Sequence, residues 1–247
     1  MFTVEDRTRA RERILEKARS DGRIVAAAVV GSAAGNEEDR WSDLDLTFGV
    51  AEGVAVGPVL SEWTRDLSTL LRAVPLFDLP YRATIYRVFL LPGNLQVDLS
   101  FTPAAEFGAL GPKFTLLFGK AVQRNPSPPP SISHRTGLAV HHAVRARASI
   151  ERGRPWQAEH WIQGLRNEAL SIACMMRGLD SGNARGFDRL PQEVRTMAVY
   201  SRVSAFEREE LLRALAASIE LLIKEGGVEL AKLDSRLVRE LRELSTA

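Results

Sequence analysis

The sequence predicts an α/β (α+β) domain, a mixed sheet flanked by helices, followed by an all-α helical bundle. Three observations predict it. Strand and helix signals alternate over residues 1–120, a stretch with four prolines occupies 121–133, and apolar positions recur at helical spacing over 134–247.

Residues 5–19 form a charged amphipathic stretch that ends at Ser20-Asp21-Gly22, a helix followed by a turn. Arg23 to Val30 is an apolar run of strand length that stops at Gly31-Ser32. A polar loop with Gly35 and Asn36 leads to Asp43-Leu44-Asp45-Leu46-Thr47-Phe48, where polar and apolar residues alternate with period two. That alternation marks a strand with one wet and one buried face. Pro58 suits the first turn of a helix reaching about Arg72. Thr84–Leu91 and Leu95–Phe101 flank Pro92-Gly93-Asn94, a hairpin signal. The prolines of 121–133 favour an extended, stiff connection. Beyond it, helices are expected at 136–152, 157–179, 190–203, 205–224 and 228–245, separated by breakers that include Gly178, Pro191 and Gly226-Gly227. Asp188 is expected to cap the third of them.

The composition is that of a globular protein, 45% hydrophobic and 26% charged, with a net charge of +2. No apolar run approaches the ~20 residues of a membrane span. The N-terminal residues are charged and lack the apolar core of a signal peptide. A single cysteine, Cys174, excludes a disulfide framework within the chain, so a cytoplasmic location is expected. Basic and acidic residues are interspersed, about −1 for 1–133 and about +3 for the rest, which argues against a polynucleotide-binding face.

Asp43 and Asp45 are two apart on a strand, so their carboxylates project from one face. Adjacent carboxylates repel unless a cation lies between them, and magnesium favours such oxygens together with substrate phosphates. Asp98, in Gln96-Val97-Asp98-Leu99-Ser100, is placed to add a third carboxylate from a neighbouring strand. Gln96, Asp98 and Ser100 would share the wet face, with Val97 and Leu99 in the core. Gly31 lets the backbone approach a phosphate, and Ser32 offers a hydroxyl and an amide.

Gly31-Ser32-Ala33-Ala34-Gly35, the following loop, and Trp41-Ser42-Asp43-Leu44-Asp45-Leu46 together resemble the signature of the DNA polymerase beta-like nucleotidyltransferase superfamily. The likeness is to its small bacterial members, including aminoglycoside nucleotidyltransferases, and covers roughly residues 23–101. Asn36 stands where a glycine is common in that family. The resemblance implies a catalytic domain at 1–120 and a helical acceptor-binding or interaction domain at 134–247. It implies magnesium, two ions held by Asp43, Asp45 and Asp98, and ATP as donor, with Gly31, Ser32 and Ser42 on the nucleotide. The expected reaction moves AMP to an acceptor hydroxyl and releases pyrophosphate. The acceptor would be a small molecule, such as an aminoglycoside, with no membrane or nucleic-acid partner and room for a homodimer. The alternative is a non-catalytic, antitoxin-like module that binds a partner protein.

Glu168 shares a helix face with Leu165 and Ile172, among apolar positions that also include Trp161 and Met176. Family members often take a glutamate from the helical domain as general base, which makes Glu168 the candidate; the plainer reading is an ion pair to Arg145 or Arg147. Glu151, Glu159 and Glu168 could meet a polycationic acceptor or could simply face solvent. Arg135 and His141, six apart, have a spacing similar to that of certain helical RNase toxins, and the plainer reading is a surface helix. His160 and Trp161 could line a cleft or sit at the core.

Overall fold

The computed structural model describes residues 1–35, 37–125 and 128–246; Asn36 and the Pro126-Ser127 part of the proline-rich stretch lie outside the described residues. The chain divides into two compact units, Met1–Ser127 and Pro128–Ala247.

The first unit opens with helix α1 (Val4–Ser20). Thr3 caps it reciprocally with Asp6: the Thr3 hydroxyl accepts from the Asp6 N–H and the Asp6 carboxylate accepts from the Thr3 N–H. Strand β1 (Ile24–Val30) runs directly into a single helical turn, α2 (Gly31–Ala34). Then come β2 (Leu44–Val50), α3 (Val56–Leu70), β3 (Val74–Tyr81), β4 (Thr84–Leu91), β5 (Leu95–Pro103) and β6 (Phe114–Phe118). The strands form one mixed sheet in the order β3-β4-β5-β2-β1-β6. Only β2 and β5 pair in parallel; the other neighbours are antiparallel.

The alternation in β2 and β5 sorts the two faces. Leu44, Leu46 and Phe48 join Val97, Leu99 and Phe101 in a core covered by α1 and α3. At its centre Phe48, Trp63 and Phe101 stack with ring centroids 5.0–5.3 Å apart. The buried Trp63 indole N–H donates to Asp21 at 2.8 Å, satisfying the one polar atom that ring brings into the core. On the opposite face Phe107 and Phe114 cover Ala26 and Ala28, and the polar members of β2 and β5 lie beside them.

Two strands were not expected from the sequence. β3 carries two prolines and is exposed at all eight positions, so it shows no alternation to read; as the sheet's edge it can accept proline. β6 is five residues long and forms the other edge. The loop expected after β1 begins instead with α2.

The second unit contains α4 (Ile132–Glu151), α5 (Pro155–Met175), α6 (Gln192–Tyr200), α7 (Arg208–Leu233) and α8 (Leu237–Glu243). Ala139, Ala143 and Ala146 of α4 pack in one core with Ala158, Ile162, Leu165 and Ala169 of α5 and with Leu215, Ile219 and Leu222 of α7. Helix α4 starts inside the stretch expected to be linker. The break expected at Gly226-Gly227 does not occur: α7 passes through both glycines and ends at Leu233. Gly226 is buried against Leu222 and Ile172, and that tertiary packing outweighs the weak helix propensity of glycine. Asp188 does not cap a helix. It lies in a 3₁₀ turn at Phe187–Arg189, and Pro191 occupies the N-cap of α6 without a side-chain hydrogen bond. Helix α5 ends at Met175, leaving Met176 exposed rather than on the core face.

Candidate active site

Strand β2 carries Asp45 and strand β5 carries Asp98, and parallel pairing makes the two direct register partners. Asp43 precedes β2 by one residue, so it enters from the loop rather than from the strand. The three aspartates are half-buried, and each offers a carboxylate oxygen within 4.8 Å of the others. Among the described residues this is the one group of three or more acidic, histidine or cysteine side chains arranged to hold a metal ion.

The electrostatics follow from that crowding. Burial pushes the Asp45 carboxyl up to about 7, with the Asp43 and Asp98 charges adding to the effect. Burial also raises Asp98, helped by Asp43, while a hydrogen bond from the Gln96 amide at 3.0 Å opposes the shift. Three carboxylates held this close repel one another, and a divalent cation relieves both the repulsion and the loss of solvation. An all-oxygen donor set of this kind suits magnesium.

Gly31 shows why glycine is required at the end of β1. Its φ is +68°, and a Cβ there would overlap the Asp45 carboxylate. The glycine therefore lets the turn close onto Asp45, a neighbour the sequence alone did not reveal. The Ser32 carbonyl accepts from the Gly35 and Glu37 N–H groups, closing that turn. Ser42 spends its hydroxyl on Asp39, accepting from its N–H at 2.9 Å and lying 3.0 Å from its carboxylate. Ser100 is on the same face as Asp98 but is buried rather than wet, donating to the Thr47 hydroxyl at 2.7 Å.

Arg7 is a contributor to the shape of this region that sequence reading missed. It comes from α1, is 5% exposed, and donates to the carbonyls of Asp39 and Ser42 at 2.7 Å each. Its Nε lies 3.1 Å from Glu38. One buried guanidinium thus fixes the loop immediately before Asp43. In the sequence it is one of many arginines, 32 and 35 positions from its carbonyl partners.

In the second unit Glu168 is ion-paired with Arg135 at 2.8 Å, not with Arg145 or Arg147. Arg145 lies over the Trp161 ring, and Arg147 pairs with Glu151. Glu151 also meets Arg208 at 2.8 Å. Two of the three glutamates considered for a cationic acceptor therefore already face arginines. His141, His142 and His160 surround Trp161 with ring centroids 4.9–5.9 Å away. His142 is half-buried and close to Gly164, and burial lowers its pKa.

No family model and no curated protein matches the chain. Among solved structures, it is similar to an aminoglycoside 6-adenyltransferase from Bacillus subtilis, at 15% identity and a TM-score of 0.41, over 96% of this chain and 98% of that one. No helix among the described residues is long and apolar enough to cross a membrane.

Proposed function

We propose that the protein transfers a nucleoside monophosphate, AMP from ATP, to an acceptor hydroxyl in a magnesium-dependent reaction. The observation that carries this reading is the trio Asp43, Asp45 and Asp98, gathered on the polar face of the sheet beside the Gly31 turn. Asp43 and Asp45 would hold both metal ions, and Asp98 the one beside the acceptor. Bound there, magnesium supplies charge neutralisation at the reacting phosphate and lowers the pKa of the attacking hydroxyl. The amides of the Gly31-Ser32 turn would orient the phosphates. The acceptor oxygen forms a bond to the α-phosphorus as the bond to the bridging oxygen breaks, and pyrophosphate leaves. Holding the reactants in line accounts for much of the rate. Glu168 is the proposed acceptor of the hydroxyl proton, with one of its carboxylate oxygens held by Arg135 at 2.8 Å. A small-molecule acceptor, such as an aminoglycoside, fits the helical unit's role in this reading.

The experiment is calorimetric titration of each nucleoside triphosphate, with and without magnesium, into wild type and Asp43→Asn/Asp45→Asn. One triphosphate should bind, only with magnesium and only to wild type. Metal-independent binding, or equal binding to the double variant, would sink the reading.

A second reading, a module that binds a partner protein without turnover, is favoured by one observation. Strand β3 exposes Val74, Leu76, Phe77, Leu79 and Tyr81 together at the sheet edge. Retention of a stoichiometric protein through purification, lost on Phe77→Asp, would move this reading ahead.

A further inference from the structure

Helix α1, the end of α3 and the turn between β4 and β5 surround a cavity of about 360 Å³ on the first unit. Its floor is apolar, because Phe2, Ala10, Leu91 and Leu95 are all buried beneath it. Its charged lining is one-sided: Arg9, Arg13 and Arg72 face a single acidic residue, Asp6. Arg9 and Arg13 are four apart on α1, so two like charges share one helix face and repel.

None of the three arginines has a close carboxylate partner. One Asp6 oxygen accepts from the Thr3 N–H and hydroxyl at 3.0 Å each, and Arg9 lies 3.9 Å from the other. Arg13 makes one hydrogen bond, to the Leu70 carbonyl at 3.2 Å. The Arg72 side chain makes no hydrogen bond or ion pair among the described residues. Arg72 also has a φ of +55°, just past the C-cap of α3, a left-handed position that favours glycine. Complementing the helix end does not account for this many cations. That end offers about half a negative charge and Asp6 a single one, which leaves an excess of about one and a half positive charges.

We propose that this cavity binds a phosphate monoester with a small apolar body, the guanidiniums holding the phosphate and the apolar floor the body. A phosphate monoester carries about −1.5 to −2 charges near neutral pH, which matches the excess; a carboxylate carries only about −1. Arginine suits the task because its planar fork meets two phosphate oxygens at once. The volume falls within the about 300–1,000 Å³ typical of small-ligand pockets, room for a ring beside the phosphate. Such a ligand also gives a reason for an arginine at a position where glycine would be unstrained. The site is independent of the reading of the aspartates, although Phe2 lines both this cavity and the one that holds Asp43.

The probe is phenyl phosphate, titrated calorimetrically into the full chain at low salt in EDTA. Wild type should bind it about fivefold or more tightly than inorganic phosphate, because the floor takes the ring. Benzoate, with less charge, should bind about fivefold or more weakly than phenyl phosphate. Arg72→Gly removes a guanidinium and relieves the left-handed backbone at once. Its unfolding midpoint should therefore rise while its affinity falls about tenfold or more, a separation that a structural arginine would not give. Arg13→Met should weaken binding by a similar factor, and if it fails to fold by circular dichroism, Arg72→Gly alone carries the test. Asp43→Asn/Asp45→Asn should keep the wild-type affinity to within about twofold, which separates this site from phosphate held beside the aspartates. Absence of binding to wild type, unchanged affinity in Arg72→Gly, equal affinity for benzoate or inorganic phosphate, or loss of binding in the aspartate double variant would each overturn the proposal.

Discussion

Asp45 and Asp98 are direct register partners on adjacent parallel strands, so the sheet itself brings two carboxylates to one spot. The metal-free protein should register that as a pH dependence. Asp45 titrates near 7 when folded, against an ordinary aspartate value near 3.8. Between those values the folded state keeps a proton that the unfolded chain releases, so folding stability falls as pH rises from about 4 to about 7. In EDTA, the unfolding midpoint of wild type should drop across that window relative to Asp45→Asn. Magnesium added above pH 7 should restore it. Parallel curves for the two proteins would show that the crowding has no energetic weight.

Removing Arg7 leaves two carbonyls and Glu38 without their shared donor. Arg7→Met should cost about 2–4 kcal/mol in a denaturant titration, as expected when one partner of a largely buried pair is lost. Metal affinity should fall further than stability alone explains, because the loop before Asp43 is no longer pinned. Arg7→Lys keeps the charge but not the fork, and should regain stability more than metal binding.

Gly31→Ala should be severe for a site-specific reason. The left-handed backbone strains any side chain, and the added methyl displaces the Asp45 carboxylate. The expected cost is about 1–3 kcal/mol in stability, with loss of magnesium-dependent nucleotide binding. A variant that binds nucleotide normally would remove Gly31 from the site.

The helical unit offers an opposite pair. At Gly226 a new methyl meets Leu222 at 3.4 Å, ordinary contact, and at Gly227 it meets nothing within 4 Å. Either change to alanine should stabilise α7 by about 0.5–1 kcal/mol, read as a higher unfolding midpoint. Gly164→Ala on α5 should instead destabilise, because its methyl would come within 2.8 Å of His142 Nδ1.

What the sequence made legible was whatever depended on local pattern. The period of two in β2 and β5 placed Leu44, Leu46, Val97 and Leu99 inside and sent Asp45 and Asp98 to the other face, so the carboxylate cluster could be drawn before the fold was known. Features set by distant contacts were not legible. Arg7 acquires its meaning only when α1 packs beside the loop before β2. The Arg135 partner of Glu168 was likewise missed, because it lies a full helix away on α4. Gly226-Gly227 misled for a related reason: local propensity argued for a break that burial against α5 overrides.

The parallel β2–β5 pair divides the molecule's freedom to change unevenly. The chain between those strands supplies the β3–β4 hairpin, whose tip at Tyr81–Thr84 lies at the sheet's rim. Lengthening that tip changes no partner of Asp45 or Asp98, whereas a slip of one residue between β2 and β5 would turn Asp98 toward the hydrocarbon side. The rim is thus free to diversify while the centre stays fixed.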